Sequence, residues 1–233
     1  MTVYLDHAAS APLRPEVLEQ MLPHLSGVQA NPSSPHGPGR RARAALDEAH
    51  ERLGASIGAE PRALVFTGGG TEAINLGVKG AAWAGKAQGH RILTTAVEHK
   101  AVLESCLLLE KYGFEIQRQP VDRYGRVDPD DLTAALTEKT ILVSLQWANN
   151  EVGTIQPLAE LIERTRAGSA ALVHVDAVQA AAWLPLDVEA QGADLMTIAA
   201  HKVEGPKGTG ALWIRRGTAI LPQIHGGSQE RYR

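Results

Sequence analysis

The chain has 233 residues, of which 44% are hydrophobic, and a formal net charge of −3. This length can bury the core of one large domain. The sequence shows no extended basic patch and no apolar run near the roughly 20 residues that span a membrane. No charged-then-apolar signal segment follows Met1. We therefore expect a cytoplasmic globular protein with no nucleic-acid or membrane partner. The single cysteine excludes an internal disulfide framework.

Apolar runs alternate with amphipathic segments along the chain. Residues 39–57 carry apolar side chains at helical spacing, and Asp128 before Pro129 is typical of a helix start. Six runs predict strands, at 63–67, 91–95, 141–146, 171–176, 194–198 and 210–214. Strands that alternate with helices predict an α/β fold with a mostly parallel sheet flanked by helices.

A glycine-rich turn follows the first predicted strand. Gly68, Gly69, Gly70 and Thr71 open a segment with apolar residues at helical spacing. The backbone N–H groups and positive dipole end of a helix N-terminus can hold a phosphate. Taken alone, a triple glycine before a helix is more often simple turn chemistry.

Polar residues follow three further strand-like runs. His99 and Asn149 each stand where a run gives way to a loop, and Asp176 ends a third run with Gln179 three residues on. Ligands bind at that edge of open α/β sheets, and a carboxylate there can hold a pyridine nitrogen protonated. The alternatives are a helix cap for His99 and for Asp176.

His201 and Lys202 end the run of Leu195, Met196 and Ile198 and precede a second glycine-rich turn. A lysine that is partly desolvated can condense with an aldehyde, because only the neutral amine is nucleophilic. By itself, a lysine at a strand end is usually a solvated surface residue. The other polar residues at strand ends make the functional interpretation the stronger one.

The order of these residues resembles the cysteine desulfurase family, which uses pyridoxal phosphate (PLP). The resemblance runs from the first residues to the last and also includes segments 4–9, 31–36, 149–153 and 225–227. It implies the PLP-dependent transferase fold, with about seven strands in a large domain over residues 15–233 and an N-terminal arm over residues 1–14. It also implies a small C-terminal domain, which we expect to be absent from this chain, leaving the large domain incomplete at its C-terminal end.

Carried over by position, the resemblance makes Lys202 the lysine that binds the cofactor and Asp176 the partner of the pyridine nitrogen. It places His99 over the ring as an acid and base. The remaining cofactor contacts it implies are Asn149 and Gln179 at the ring oxygen, and Gly70, Thr71, Ala199 and His201 around the phosphate. Many relatives have a serine where this chain has Ala199, and losing that hydrogen bond to a charged group would cost about 1.5–3 kcal/mol. His36 and Arg231 are further positions that the resemblance places near the site of a dimer.

The resemblance also implies removal of sulfur from L-cysteine, giving L-alanine and a protein persulfide. It implies a homodimer and a sulfur acceptor such as an iron-sulfur scaffold protein. The persulfide requires a thiol, yet Cys106 lies among apolar residues at helical spacing and is expected to be a core residue. We therefore expect this chain to bind PLP without completing the reaction, because the family's nucleophilic cysteine lies beyond Arg233.

Two other functions stay open. One is another PLP-dependent lyase or aminotransferase of the same fold, such as a selenocysteine lyase. The other is a non-catalytic chain that binds PLP or dimerises. The nine histidines show no zinc-ligand spacing with one another or with cysteine, so no metal site is predicted.

Overall fold

The computed structural model describes residues 3–27 and 29–230. These residues contain a seven-stranded sheet in the order β1-β7-β6-β5-β4-β2-β3. The strands are β1 Leu64–Thr67, β2 Arg91–Thr95, β3 Glu115–Gln119, β4 Thr140–Gln146, β5 Leu172–Asp176, β6 Leu195–Ala199 and β7 Gly210–Ile214. The helices are α1 Pro15–Ser26, α2 Gly37–Ile57, α3 Gly70–Gly85, α4 Lys100–Glu110, α5 Pro129–Ala135, α6 Leu158–Gly168 and α7 Val188–Gln191.

The sheet is mostly parallel, as the alternation of strands and helices predicts. Strands β3, β2, β4, β5 and β6 run parallel to one another, whereas β7 is antiparallel to both β6 and β1. All six predicted strands are present. The seventh, β3, escaped prediction because its sequence Glu-Ile-Gln-Arg-Gln is polar, which an edge strand with partial exposure tolerates.

Two apolar clusters lie on opposite faces of the sheet. Successive residues of a strand point to opposite faces, so Leu142 joins the cluster under α3 and α4, whereas Val143 joins the cluster under α5 and α6. All seven residues of β4 are buried because helices cover both faces. The packing is therefore three layers, with the sheet in the middle.

Local sequence signals set the helix boundaries. The Asp128 carboxylate accepts a hydrogen bond from Asp130 N at 2.8 Å and caps α5, whose first residue is Pro129. The predicted amphipathic helix at 39–57 is α2, which begins two residues earlier because the His36 side chain caps it by accepting from Gly39 N at 3.2 Å. These caps confirm two of the helices read from the sequence.

Candidate active site

A cavity of about 500 Å³ lies at the carboxyl edge of the sheet. The last residues of three adjacent strands, Gln146 of β4, Asp176 of β5 and Ala199 of β6, all line it. The carboxyl ends of parallel strands meet at one edge, which is where open α/β sheets bind ligands. The predicted site residues that line the cavity are Gly70, Thr71, His99, Asp176, Gln179, Ala199, His201 and Lys202.

Lys202 is half-buried in a short 3-10 turn, Ala200–Lys202, that follows β6 directly. Its Nζ donates hydrogen bonds to two backbone carbonyl oxygens, that of Ala8 and that of Ala9, the latter at 3.1 Å. Burial lowers the pKa of the amine below its ordinary value of 10.5, while the Asp176 and Asp6 carboxylates act in the opposite direction. The neutral, nucleophilic form of Lys202 is thus more accessible than that of a surface lysine.

Asp176 lies at the end of β5 and is only 2% exposed. Its Oδ1 accepts a hydrogen bond from Val178 N at 3.0 Å. Burial raises the pKa of this carboxyl, and the Val178 N–H and the electrostatic influence of His99 and Lys202 oppose that rise. The capping alternative is partly realised, because Oδ1 closes a turn, but the carboxyl also lines the cavity.

The glycine-rich turn brings a helix N-terminus to the cavity wall. Gly69 caps α3 with φ 134° and ψ 177°, a conformation that residues with a side chain rarely adopt. A Cβ at Gly70 would lie 3.1 Å from Val178 Cγ2, so the turn sits tightly against the strand ends. The first N–H groups of α3 and the Thr71 hydroxyl therefore lie at the cavity wall, an arrangement that suits an anion.

His99 caps α4, and it also lines the cavity. Its Nδ1 accepts a hydrogen bond from Ala101 N at 3.1 Å. In the neutral ring this bond leaves the hydrogen on Nε2. The cap interpretation and the functional one are thus compatible, since the cap fixes the tautomer and the ring orientation at the cavity.

The side chain of Asn149 is buried beside the cavity and is not part of its lining. Its Nδ2 donates to Val97 O at 3.0 Å and to Gln146 Oε1 at 3.1 Å, and its Oδ1 accepts from the backbone N–H groups of Glu151 and Val152. These four bonds use both amide hydrogens and both lone pairs. Asn149 therefore joins two loops of the site, and its contact with a ring oxygen stays a prediction.

Glu98, which the sequence pattern did not predict as a site residue, is 6% exposed and immediately precedes His99. Its Oε1 accepts hydrogen bonds from Gln146 N at 2.8 Å and Thr95 Oγ1 at 3.0 Å. Burial, with a smaller contribution from Asp176, raises the pKa of this carboxyl to about 8. A charged residue type between a strand and a histidine gives no sequence signal of burial, so only the fold identifies it.

The N-terminal arm also escaped assignment to the site. Residues 3–14 precede α1, and Asp6, Ala8 and Ala9 line the cavity. Ala11 N donates to His201 O at 2.8 Å, and Arg14 forms an ion pair with Glu204. These contacts join the arm to the segment that carries Lys202.

Cys106 is a fully buried residue of α4, as predicted. Burial, with a smaller contribution from Glu98, raises the pKa of its thiol to about 12. Of the two positions expected near a dimer site, His36 caps α2, and Arg231 lies outside the described residues. In residues 3–27 and 29–230, no three His, Cys, Asp or Glu side chains are grouped to hold a metal ion, and no helix is long and apolar enough to cross a bilayer.

The fold and the site define an α/β protein with a lysine and a buried aspartate at the carboxyl edge of its sheet. Residues 3–232 match the family described as aminotransferase class V. The chain belongs to this family.

Two similar proteins carry the same name. The chain is 53% identical over 228 residues to "Cysteine desulfurase IscS" of Dictyoglomus turgidum, covering 98% of this chain and 58% of that protein. It is 45% identical over 231 residues to the protein of the same name from Methanosarcina thermophila, covering 99% and 57%. The chain therefore spans about three fifths of the length of these relatives.

Solved structures resemble this chain over nearly its whole length. A structure described as "NIFS-LIKE PROTEIN" superposes with a TM-score of 0.97 at 40% identity, over 100% of this chain and 64% of that one. "SspA in complex with cysteine" gives a TM-score of 0.94 at 36% identity, over 99% and 67%. The predicted fold and family resemblance are thereby confirmed.

Proposed function

We propose that this chain is the PLP-binding part of a cysteine desulfurase. The observation that carries the proposal is that Lys202 and Asp176 line one cavity and each acts electrostatically on the other. When bound, PLP supplies an aldehyde for amine substrates and a protonated ring that withdraws electrons. The names of the relatives supply the substrate, L-cysteine.

The residues present fit this cofactor. Gln179 Oε1 is buried at the cavity and has no hydrogen-bond partner among the described residues, so its amide is available to a bound group. The α3 N-terminus and Thr71 suit a phosphate, and Asp176 suits a ring nitrogen that carries a proton. The set combines an anion site, a carboxylate and a lysine within about 500 Å³.

Each polar residue has a distinct task in the proposed site. Lys202 binds the aldehyde and, when its Nζ is free, accepts and returns a proton beside the substrate. Asp176 holds a proton at the ring nitrogen through its carboxylate. His99 presents its Nε2 to the cavity and moves protons there. Gly70, Thr71, Ala199 and His201 surround the phosphate, and Gln179 supports the ring oxygen. Asn149 would join it there only by giving up its bond to Val97 O or to Gln146 Oε1.

The sulfur acceptor must come from outside these 233 residues. Attack on sulfur requires a thiolate, and the single cysteine, Cys106, is buried with its thiol pKa raised to about 12. A thiol from another polypeptide segment or a partner protein would receive the sulfur and leave L-alanine. An iron-sulfur scaffold protein as a later acceptor, a homodimer and a cytoplasmic location belong to the same proposal.

A non-catalytic PLP-binding chain is the second candidate, favoured by the burial of Cys106. Release of alanine from L-cysteine by the PLP-loaded chain separates the two candidates. We expect little or none from the chain alone and an increase on adding a thiol-bearing partner segment. No alanine release, either alone or with an added thiol-bearing segment, supports the second candidate.

A spectrum of the purified chain with added PLP tests cofactor binding. We expect a visible band that borohydride fixes as a covalent adduct, with Lys202 as the labelled residue by mass spectrometry. The Lys202→Ala variant should lose the adduct. Lys207→Ala, which removes a nearby exposed lysine outside the cavity lining, should keep it. An unchanged adduct in Lys202→Ala would remove the basis of the proposal.

A further inference from the structure

Glu98 connects the two loops that form one side of the cavity. It follows β2 and precedes α4. Its Oε1 accepts hydrogen bonds from Thr95 Oγ1 at the end of β2 and from Gln146 N at the end of β4. One carboxylate oxygen thus fixes the spacing between two adjacent strand ends. We propose that Glu98 is a positioning residue that holds His99 and Gln146 in place at the proposed cofactor site.

A second bond reinforces this connection. Asn149 Nδ2 donates to Val97 O at 3.0 Å, one residue before Glu98. The segment 95–99 is therefore joined to the segment 146–149 at two points, and His99 is its last residue. Loss of the Glu98 side chain would leave Gln146 N without its acceptor in a buried place, which is costly. The loop that carries His99 would then lose one of its two fixed points.

Glu98 performs this task as a neutral acid. Its Oε2 is buried and has no hydrogen-bond partner among the described residues, a setting in which a charge is expensive. Its pKa is about 8, so the acid is protonated at neutral pH. Glu98 then adds no charge to this side of the cavity, where His99 and Lys202 act on Asp176.

The groups around Glu98 come from more than one element. Asp176 on β5 raises its pKa, and Glu98 in turn acts on Cys106 of α4, which Arg118 of β3 also influences. Ionisation of Glu98 above pH 8 would place a second negative charge near Asp176. Because like charges disfavour each other, this charge would raise the pKa of Asp176 further.

Glutamine reproduces the neutral acid at this position. The amide oxygen of Glu98→Gln accepts the same two hydrogen bonds and cannot ionise. Alanine removes the acceptor altogether. Glu104→Gln makes the same change on the exposed face of α4 and serves as the matched control.

The first test is independent of the cofactor. Because the folded-state pKa of Glu98 is raised, its stabilising contribution is complete below about pH 4.5 and declines as the pH rises to about 8. Urea unfolding of wild type should show this decline, and Glu98→Gln should show a smaller one. Glu104→Gln should follow wild type. If the free energy of unfolding has the same pH dependence in wild type and Glu98→Gln, Glu98 is not a buried neutral acid.

The second test rests on the proposed function and uses PLP affinity, followed by the visible band at pH 7. We expect Glu98→Gln to bind within about threefold of wild type and Glu98→Ala to lose tenfold or more. Wild type should also lose affinity between pH 8 and 9.5 more steeply than Glu98→Gln. Equal affinity in Glu98→Ala and wild type would overturn the positioning role. If wild type and Lys202→Ala form the same adduct, the proposed function fails instead, while the unfolding profile still reports on Glu98.

Discussion

Gly70 and Ala199 lie in close contact at one wall of the cavity. A Cβ added to Gly70 would lie 3.3 Å from the Ala199 Cβ, closer than an ordinary van der Waals contact. The N-terminus of α3 and the end of β6 therefore approach one another closely at these two residues. A polar group on residue 199 would lie beside the first N–H groups of α3. The side chain at this position should therefore change the affinity for an anion.

Replacement of Ala199 by serine should strengthen PLP binding. The residue is 2% exposed and lines the cavity, so an added hydroxyl would be held at the anion-binding edge. A hydrogen bond to a charged group is worth about 1.5–3 kcal/mol, which corresponds to about tenfold or more in affinity. Equilibrium dialysis of PLP against both proteins measures the change.

Ala200→Ser is the control for this substitution. This variant adds the same hydroxyl one residue further along the chain, at a position that does not line the cavity. Its affinity for PLP should equal that of wild type. If both serine variants behave alike, residue 199 does not face the phosphate, and the helix N-terminus alone holds the anion.

His174 should make the protein sensitive to acid. Its ring is fully buried on β5, where Nδ1 contacts Ser144 Oγ at 2.9 Å and Nε2 contacts Thr197 Oγ1 at 3.0 Å. Burial lowers the pKa of the ring to about 3. The folded state keeps His174 neutral, whereas the unfolded state takes up a proton below about pH 6.5. Stability is therefore lost as the pH falls from 6.5 towards 3.

The His174→Gln variant isolates this effect. At pH 7 it should unfold about 1–3 kcal/mol more easily, because Ser144 and Thr197 lose a buried partner. Below pH 6.5 the gap to wild type should shrink by up to about 1.4 kcal/mol per pH unit. Urea unfolding between pH 4 and 8 measures the gap. A constant gap would mean that His174 does not carry the acid sensitivity.

The sequence predicted the strands and the order of the site residues because both depend on local patterns. Apolar runs end at Gln146, Asp176 and Ala199, and the parallel arrangement brings such ends to one edge. The resemblance then supplied the roles, which composition alone could not. The residues predicted to contact the cofactor, apart from Asn149, line one cavity.

Residues whose roles depend on long-range contacts were not predictable. Glu98 accepts a bond from Gln146 N, 48 positions away, and Lys202 donates to Ala9 O, 193 positions away. The hydrophobic periodicity of a sequence gives no information about such distant hydrogen-bond partners. Asn149 is the opposite case, because its place after a strand predicted a contact with a ligand. In the fold its amide instead donates hydrogen bonds to Val97 O and Gln146 Oε1.

Release of the N-terminal arm should make Lys202 more reactive. The Lys202 amine is bound by the carbonyl oxygens of Ala8 and Ala9, and the Arg14–Glu204 ion pair helps to hold the arm in place. Arg14→Ala should loosen this contact and increase the rate of adduct formation with PLP by about two- to fivefold, because an exposed ion pair contributes at most about 1 kcal/mol. Stopped-flow absorbance measures the rate.

The control for the arm is Arg43→Ala, which removes an exposed ion pair with Asp47 on α2, away from the cavity. Its rate should match wild type. A slower reaction in Arg14→Ala would indicate that the arm orders Lys202 for attack instead of shielding it.

Cys106 should be almost inert to thiol reagents in the folded protein. Its side chain is fully buried, and its pKa of about 12 leaves little thiolate at pH 8. We expect Ellman's reagent to react at least 100-fold more slowly than it does with the chain in guanidinium chloride, where the thiol has its ordinary pKa of about 8.5. Leu109→Ala, which opens a cavity beside Cys106 in the same apolar cluster, should speed the reaction. Rapid labelling of the folded wild type would show that this thiol is accessible and would restore it as a candidate sulfur acceptor.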